Sequence, residues 1–143
     1  LKVSTIKHTH HNFDIDKPGK DSFEHRVAGA HEVVITGAAR WALLHENRGE
    51  PEPDIETLLT RMSEVDLVLI EGFKSYSHPK IEVFRQEVGK PMICADDTSI
   101  VAVASTISLE VTIPQIDLDD IEAVADFVIN FCELLTERRN GAA

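Results

Sequence analysis

Asp66-Leu67-Val68-Leu69-Ile70-Glu71-Gly72 sets the architecture. Four consecutive apolar residues without alternation predict a strand buried on both faces, as parallel sheets require. On either side lie further strand-like runs: Val3 to Lys7, Glu32 to Thr36, Lys80 to Arg85 and Ile100 to Ala104. Lys80 to Arg85 alternates Ile81 and Val83 with Lys80 and Glu82, which suits an edge or half-exposed strand. Helical periodicity fills the gaps. Asp21 is placed to cap a helix with Phe23, Val27 and Ala30 on one face. Asp54 is placed to cap another with Ile55, Leu58, Leu59 and Met62 at helical spacing. The last helix carries Ile121, Val124, Ala125, Val128, Phe131, Cys132 and Leu135 as one stripe, and Gly141 ends it. Trp41 to Glu46 reads equally as a short helix or a strand. Strands alternating with helices predict an α/β protein, a mostly parallel sheet with helices on both faces.

The 143 residues suffice for one domain with a real core, so residues 1–143 are read as a single domain. Arg48-Gly49-Glu50-Pro51-Glu52-Pro53 reads as a surface loop within it. Fourteen Lys and Arg against 25 Asp and Glu give a formal charge of -11. That balance argues against a broad nucleic-acid or acidic-membrane surface, which needs clustered cations. No apolar run is long enough for a transmembrane helix, and no secretory leader pattern is present, so a cytoplasmic protein is expected. The two cysteines, Cys94 and Cys132, read as buried thiols of a reducing compartment.

Ligands of open α/β sheets bind beyond the carboxyl ends of the strands. Three polar clusters fall there: His8 to Asp21, Glu71-Gly72-Phe73-Lys74, and Ser105-Thr106. An acid closing a buried strand has the form of a Walker B carboxylate, which holds Mg²⁺ directly or through water; a solvated acid at a strand end fits the same pattern. Asp14 and Asp16 flank Ile15, so an extended backbone points both carboxylates one way, as a hard cation prefers. An exposed turn is the other reading. His8, His10 and His11 invite zinc, but no cysteine or third spaced histidine completes a tetrahedral set. Lys17-Pro18-Gly19-Lys20-Asp21-Ser22 contains Gly-Lys yet is no P-loop, which needs Gly, four residues, then Gly-Lys-Ser/Thr.

Together Ile6-Lys7-His8-Thr9-His10-His11, Asp14 to Ser22, Arg40-Trp41-Ala42-Leu43, Leu69 to Lys74 and Val101 to Ser105 resemble the molybdopterin-guanine dinucleotide biosynthesis protein B (MobB) family. The likeness runs from Leu1 to about Leu135 with order and spacing intact. It implies a P-loop NTPase-like fold and a homodimer. It also implies an accessory GTP-binding protein with weak Mg²⁺-dependent GTPase activity, assisting the guanylyltransferase MobA in making the guanine dinucleotide form of the molybdenum cofactor. On that resemblance Glu71 and Asp16 are the catalytic candidates, and Asp14, Asp16 and Glu71 lie by Mg²⁺. Lys7, His8, His10, His11, Lys17, Lys20 and Lys74 are the candidate nucleotide or anion contacts. The alternative is a non-catalytic adaptor that binds the guanylyltransferase, molybdopterin or the finished cofactor without nucleotide turnover.

Two departures accompany the resemblance. The family's first strand, Walker A loop and following helix would precede Leu1, so this N-terminal βα unit is expected to be absent. The chain is then either a piece of a longer protein or a variant that does not hold GTP in the usual way. Thr106 stands where the family would have an acid, which weakens the expectation of guanine contacts after the fifth strand.

Overall fold

In the computed structural model, residues 1–9 and 13–134 are described. Their elements run β1 (Val3–Lys7), α1 (Asp21–Val27), β2 (Glu32–Thr36), β3 (Trp41–His45), α2 (Ile55–Thr60), β4 (Leu67–Glu71), β5 (Lys80–Phe84), β6 (Ile100–Ser105), β7 (Gln115–Asp117) and α3 (Ile121–Phe131). The chain divides into two units, Leu1–Gly72 and Phe73–Ala143.

In the first unit β1 and β4 pair in parallel, with Val3 opposite Leu67 and Lys7 opposite Glu71. β2 and β3 form an antiparallel hairpin in which Thr36 faces Trp41 and Glu32 faces His45. Gly37 N–H closes its turn on the Arg40 carbonyl at 3.0 Å. The ambiguous Trp41 segment is therefore a strand. Five residues are too few for a stable helix on their own, and pairing with β2 supplies the hydrogen bonds that decide it.

β4 differs from the expectation of a strand buried on both faces. Leu67, Val68 and Ile70 are half-buried and Leu69 is exposed. Among the described residues β4 has one strand neighbour, β1. A two-stranded ribbon presents too little surface to enclose its own apolar side chains.

The doubly covered strand is β6, in the second unit. It lies between β5 and β7, all parallel. Ala102, Val103 and Ala104 are almost wholly buried, and with Ile100, Phe73 and Ile116 they make up that unit's core. Among the described residues β5 is at an edge of this sheet, but Val83 is exposed while Lys80 and Glu82 are half-buried, so its faces do not follow the alternation. β7, three residues long, carries no periodicity that sequence reading can detect.

Helix ends follow local chemistry. Asp54 accepts the Thr57 amide at 2.8 Å and so caps α2. Asp120 does the same for α3 through Ala123 at 2.9 Å. Asp21 does not cap α1; Lys20 occupies that position without a side-chain hydrogen bond, and Asp21 is the first helical residue. There its charge still complements the helix dipole. Met62 lies past the end of α2, while Leu135 and Gly141 fall outside the described residues. Cys94 is half-buried, and burial followed by the nearby Glu82 carboxylate pushes its thiol pKa up. Cys132 is exposed rather than buried, because it is the C-cap residue, past the last turn of α3. Among the described residues no helix is long and apolar enough to cross a membrane.

Candidate functional site

The parallel register of β1 and β4 brings their carboxyl ends side by side in the first unit. His8 N–H donates to the Glu71 carbonyl at 2.8 Å, extending the ladder by one bond past the strands. Lys7 Nζ meets Glu71 Oε1 at 2.5 Å, and both side chains are largely exposed. Gly72 follows with φ +95°, and a Cβ there would stand 2.7 Å from His8 Cβ. Only glycine suits both the backbone conformation and the close approach of the two chains. The imidazole of His8 is mostly buried, and its Nε2 lies 2.9 Å from Glu52 Oε1. The Arg48–Pro53 loop is thereby tied to the end of β1.

A second cluster gathers around Arg26 on α1. Its Nη2 donates to Asp14 Oδ2 at 2.8 Å, and its Nη1 to Glu46 Oε1 at 3.3 Å. Its Nε lies 3.6 Å from Asp16 Oδ2. Asp16 Oδ1 accepts from Ser22 Oγ at 2.8 Å and from Lys17 N–H at 3.0 Å. Asp14 Oδ1 accepts the Asp16 amide at 2.9 Å. The Arg26 hydrogen bond, then the Asp16 amide, holds the Asp14 carboxyl below the usual range. The hydrogen bond to Asp14 leads the interactions that raise the Arg26 pKa. Both groups stay charged across the physiological range.

The expected site residues therefore separate into groups. Lys7, His8 and Glu71 come together. Asp14 and Asp16 come together as well, but around Arg26. Lys17 and Lys20 are exposed in the turn before α1, and the Lys20 amide donates to the Lys17 carbonyl at 3.2 Å. Lys74 is an exposed residue of the second unit. His10 and His11 lie outside the described residues. Among those described, no three His, Cys, Asp or Glu side chains are grouped so as to hold a metal ion as placed.

An Mg²⁺ ion fits these residues unevenly. The exposed Glu71 carboxylate at a strand end can meet a hydrated cation. Asp16, with a side chain 5% exposed and its oxygens turned to Ser22, Lys17 and Arg26, is poorly placed to do so. Sequence reading missed Arg26, Glu46 and Glu52. One signal was present: Ser22 and Arg26 stand four residues apart in a helical pattern and share a face, so one carboxylate can meet both.

Residues 1–106 match the family model for molybdopterin guanine dinucleotide synthesis protein B. The chain is 42% identical over 136 residues to the molybdopterin-guanine dinucleotide biosynthesis adapter protein of Escherichia coli K12, covering 93% of this chain and 78% of that one. The adapter protein of the same description from Haemophilus influenzae is 39% identical, with 92% and 73% covered. A crystal structure of molybdopterin-guanine biosynthesis protein B superposes with a TM-score of 0.71 at 24% identity, covering 92% of this chain and 81% of that one. A MobB homologue from Bacillus stearothermophilus gives 0.64 at 22%, with 92% and 78% covered. The shared fold is α/β, as the alternating strands and helices predicted, and P-loop NTPase-like, as the family resemblance implied. By the extent of the family match and the identity to these relatives, the chain belongs to the MobB family.

Proposed function

We propose that this protein serves molybdopterin guanine dinucleotide biosynthesis in the cytoplasm as an accessory of the guanylyltransferase. Its site at the carboxyl ends of β1 and β4 meets GTP and Mg²⁺, and the protein hydrolyses GTP slowly. The observation that carries this reading is the Lys7–Glu71 register with Gly72 turned at φ +95° beside it. It puts a cation and an exposed carboxylate at the end of a parallel strand pair, beside a glycine turn packed against His8, where α/β proteins bind ligands. Glu71 faces the metal, Lys7 and His8 the phosphates, with Lys17 and Lys20 as outlying cations. The protein works as a homodimer.

A second reading is a non-catalytic adaptor for the guanylyltransferase or for molybdopterin. It is favoured by Asp14 and Asp16 being engaged with Arg26 rather than turned out toward a ligand. Calorimetric titration with GTP and Mg²⁺, with ATP as control, separates the two. On the GTP reading, Glu71→Gln lowers Mg²⁺-dependent turnover by about tenfold or more, as losing a metal-facing carboxylate should, and leaves capture of the guanylyltransferase unchanged. Wild-type turnover in that variant would remove Glu71 from the site. A folded protein that takes up neither nucleotide would leave the adaptor reading.

A further inference from the structure

The Arg26 cluster joins three stretches of chain that are remote in sequence: Asp14 and Asp16 before α1, Arg26 within α1, and Glu46 after β3. Its guanidinium side chain is 18% exposed and also lies 5.3 Å from the Phe23 ring centre. The same region is tied a second time. Arg48 Nη2 donates to the carbonyls of Arg26 and Ala30, each at 2.8 Å, where α1 ends.

Arginine is suited to this place because its planar fork offers donors in several directions at once, while a lysine ammonium is a single point. Three carboxylates around one cation leave a local excess of negative charge. Asp16 is the most enclosed of the three. Its Oδ2 and Arg26 Nε are both buried without a hydrogen bond, 3.6 Å apart. That spacing is an ion pair, longer than a hydrogen bond by roughly half an ångström. Without the guanidinium, a buried carboxylate would lose its counter-charge, which a folded loop tolerates poorly.

We infer that Arg26 is the positioning residue of the Phe13–Lys17 segment, with Asp16 as its buried anchor rather than a metal ligand. Arg26 touches no nucleotide. It sets the path of the backbone from Phe13 to the start of α1. Its importance for turnover rests on the reading of that segment as part of the nucleotide site; the clamp itself does not.

The test is amide hydrogen exchange, read by mass spectrometry on the full chain, beside its GTP turnover. Arg26→Gln speeds exchange across residues 13–17 by about tenfold or more, while β1 and β4 keep their protection. Arg26→Lys recovers part of that protection, and Asp16→Asn reproduces the Arg26→Gln pattern should that variant fold poorly. For GTP turnover, Arg26→Gln lowers kcat by at least about tenfold with KM within about threefold, the mark of lost positioning. Unchanged exchange at residues 13–17 in both Arg26→Gln and Asp16→Asn overturns the clamp. Faster exchange with an unaltered kcat overturns the positioning role. Faster exchange in a protein whose wild type turns over no GTP upholds the clamp and overturns the nucleotide reading instead.

Discussion

Gly72 is where residue chemistry and chain path meet most tightly. Its φ of +95° is unfavourable for any residue with a Cβ, and the nearest obstacle is the Cβ of His8 rather than the end of a flexible side chain. Gly72→Ala therefore combines backbone strain with a clash, and should destabilise the fold by about 2–4 kcal/mol. Chemical denaturation monitored at Trp41 measures it, and a loss under half a kilocalorie would show that β1 and β4 part easily at this end. Arg26 makes a complementary point about residues. Nothing in a single Arg among helical neighbours advertises a clamp, because its partners stand 10, 12 and 20 positions away.

Among elements, the start of β5 is fixed by one half-buried cation. Lys80 Nζ donates to the carbonyls of Lys74 and Tyr76 and lies 2.8 Å from Asp97 Oδ2. Asp97 also accepts from the Ser99 hydroxyl and amide. The Lys80 contact, then those from Ser99, lower the Asp97 pKa to about 2 from an ordinary 3.8. A carboxyl depressed in the folded state contributes stability that is present above the unfolded pKa. That contribution is lost as pH falls from about 4 toward 2. Melting temperatures taken down this range should drop in the wild type, with a shallower acid limb in Asp97→Asn. β6 offers the companion test. Val103 is completely buried, so Val103→Ala removes two methyl groups from a packed core and should cost about 2–3 kcal/mol. An equilibrium unfolding curve displaced by much less would mean that the strand repacks around the gap.

For the whole molecule, the formal charge of -11 predicts passage through a heparin column at physiological ionic strength without retention. Retention would expose a cationic face that the charge balance conceals. Much was legible in the residues alone. Val3 to Lys7, Glu32 to Thr36 and Lys80 to Arg85 carry enough apolar, β-branched character to announce strands, and Asp54 announces a helix start by the oxygen it offers to a free amide. These properties are local, so sequence determines them. The family, too, was readable from ordered motifs such as Leu69 to Lys74. Only tertiary structure decided that Trp41 to His45 is a strand, that β6 rather than β4 is the doubly covered one, and that Asp16 turns inward to Arg26. Strand pairing, burial and ion pairing depend on which distant segments come into contact, and the chemistry of a residue fixes only what it could accept as a partner.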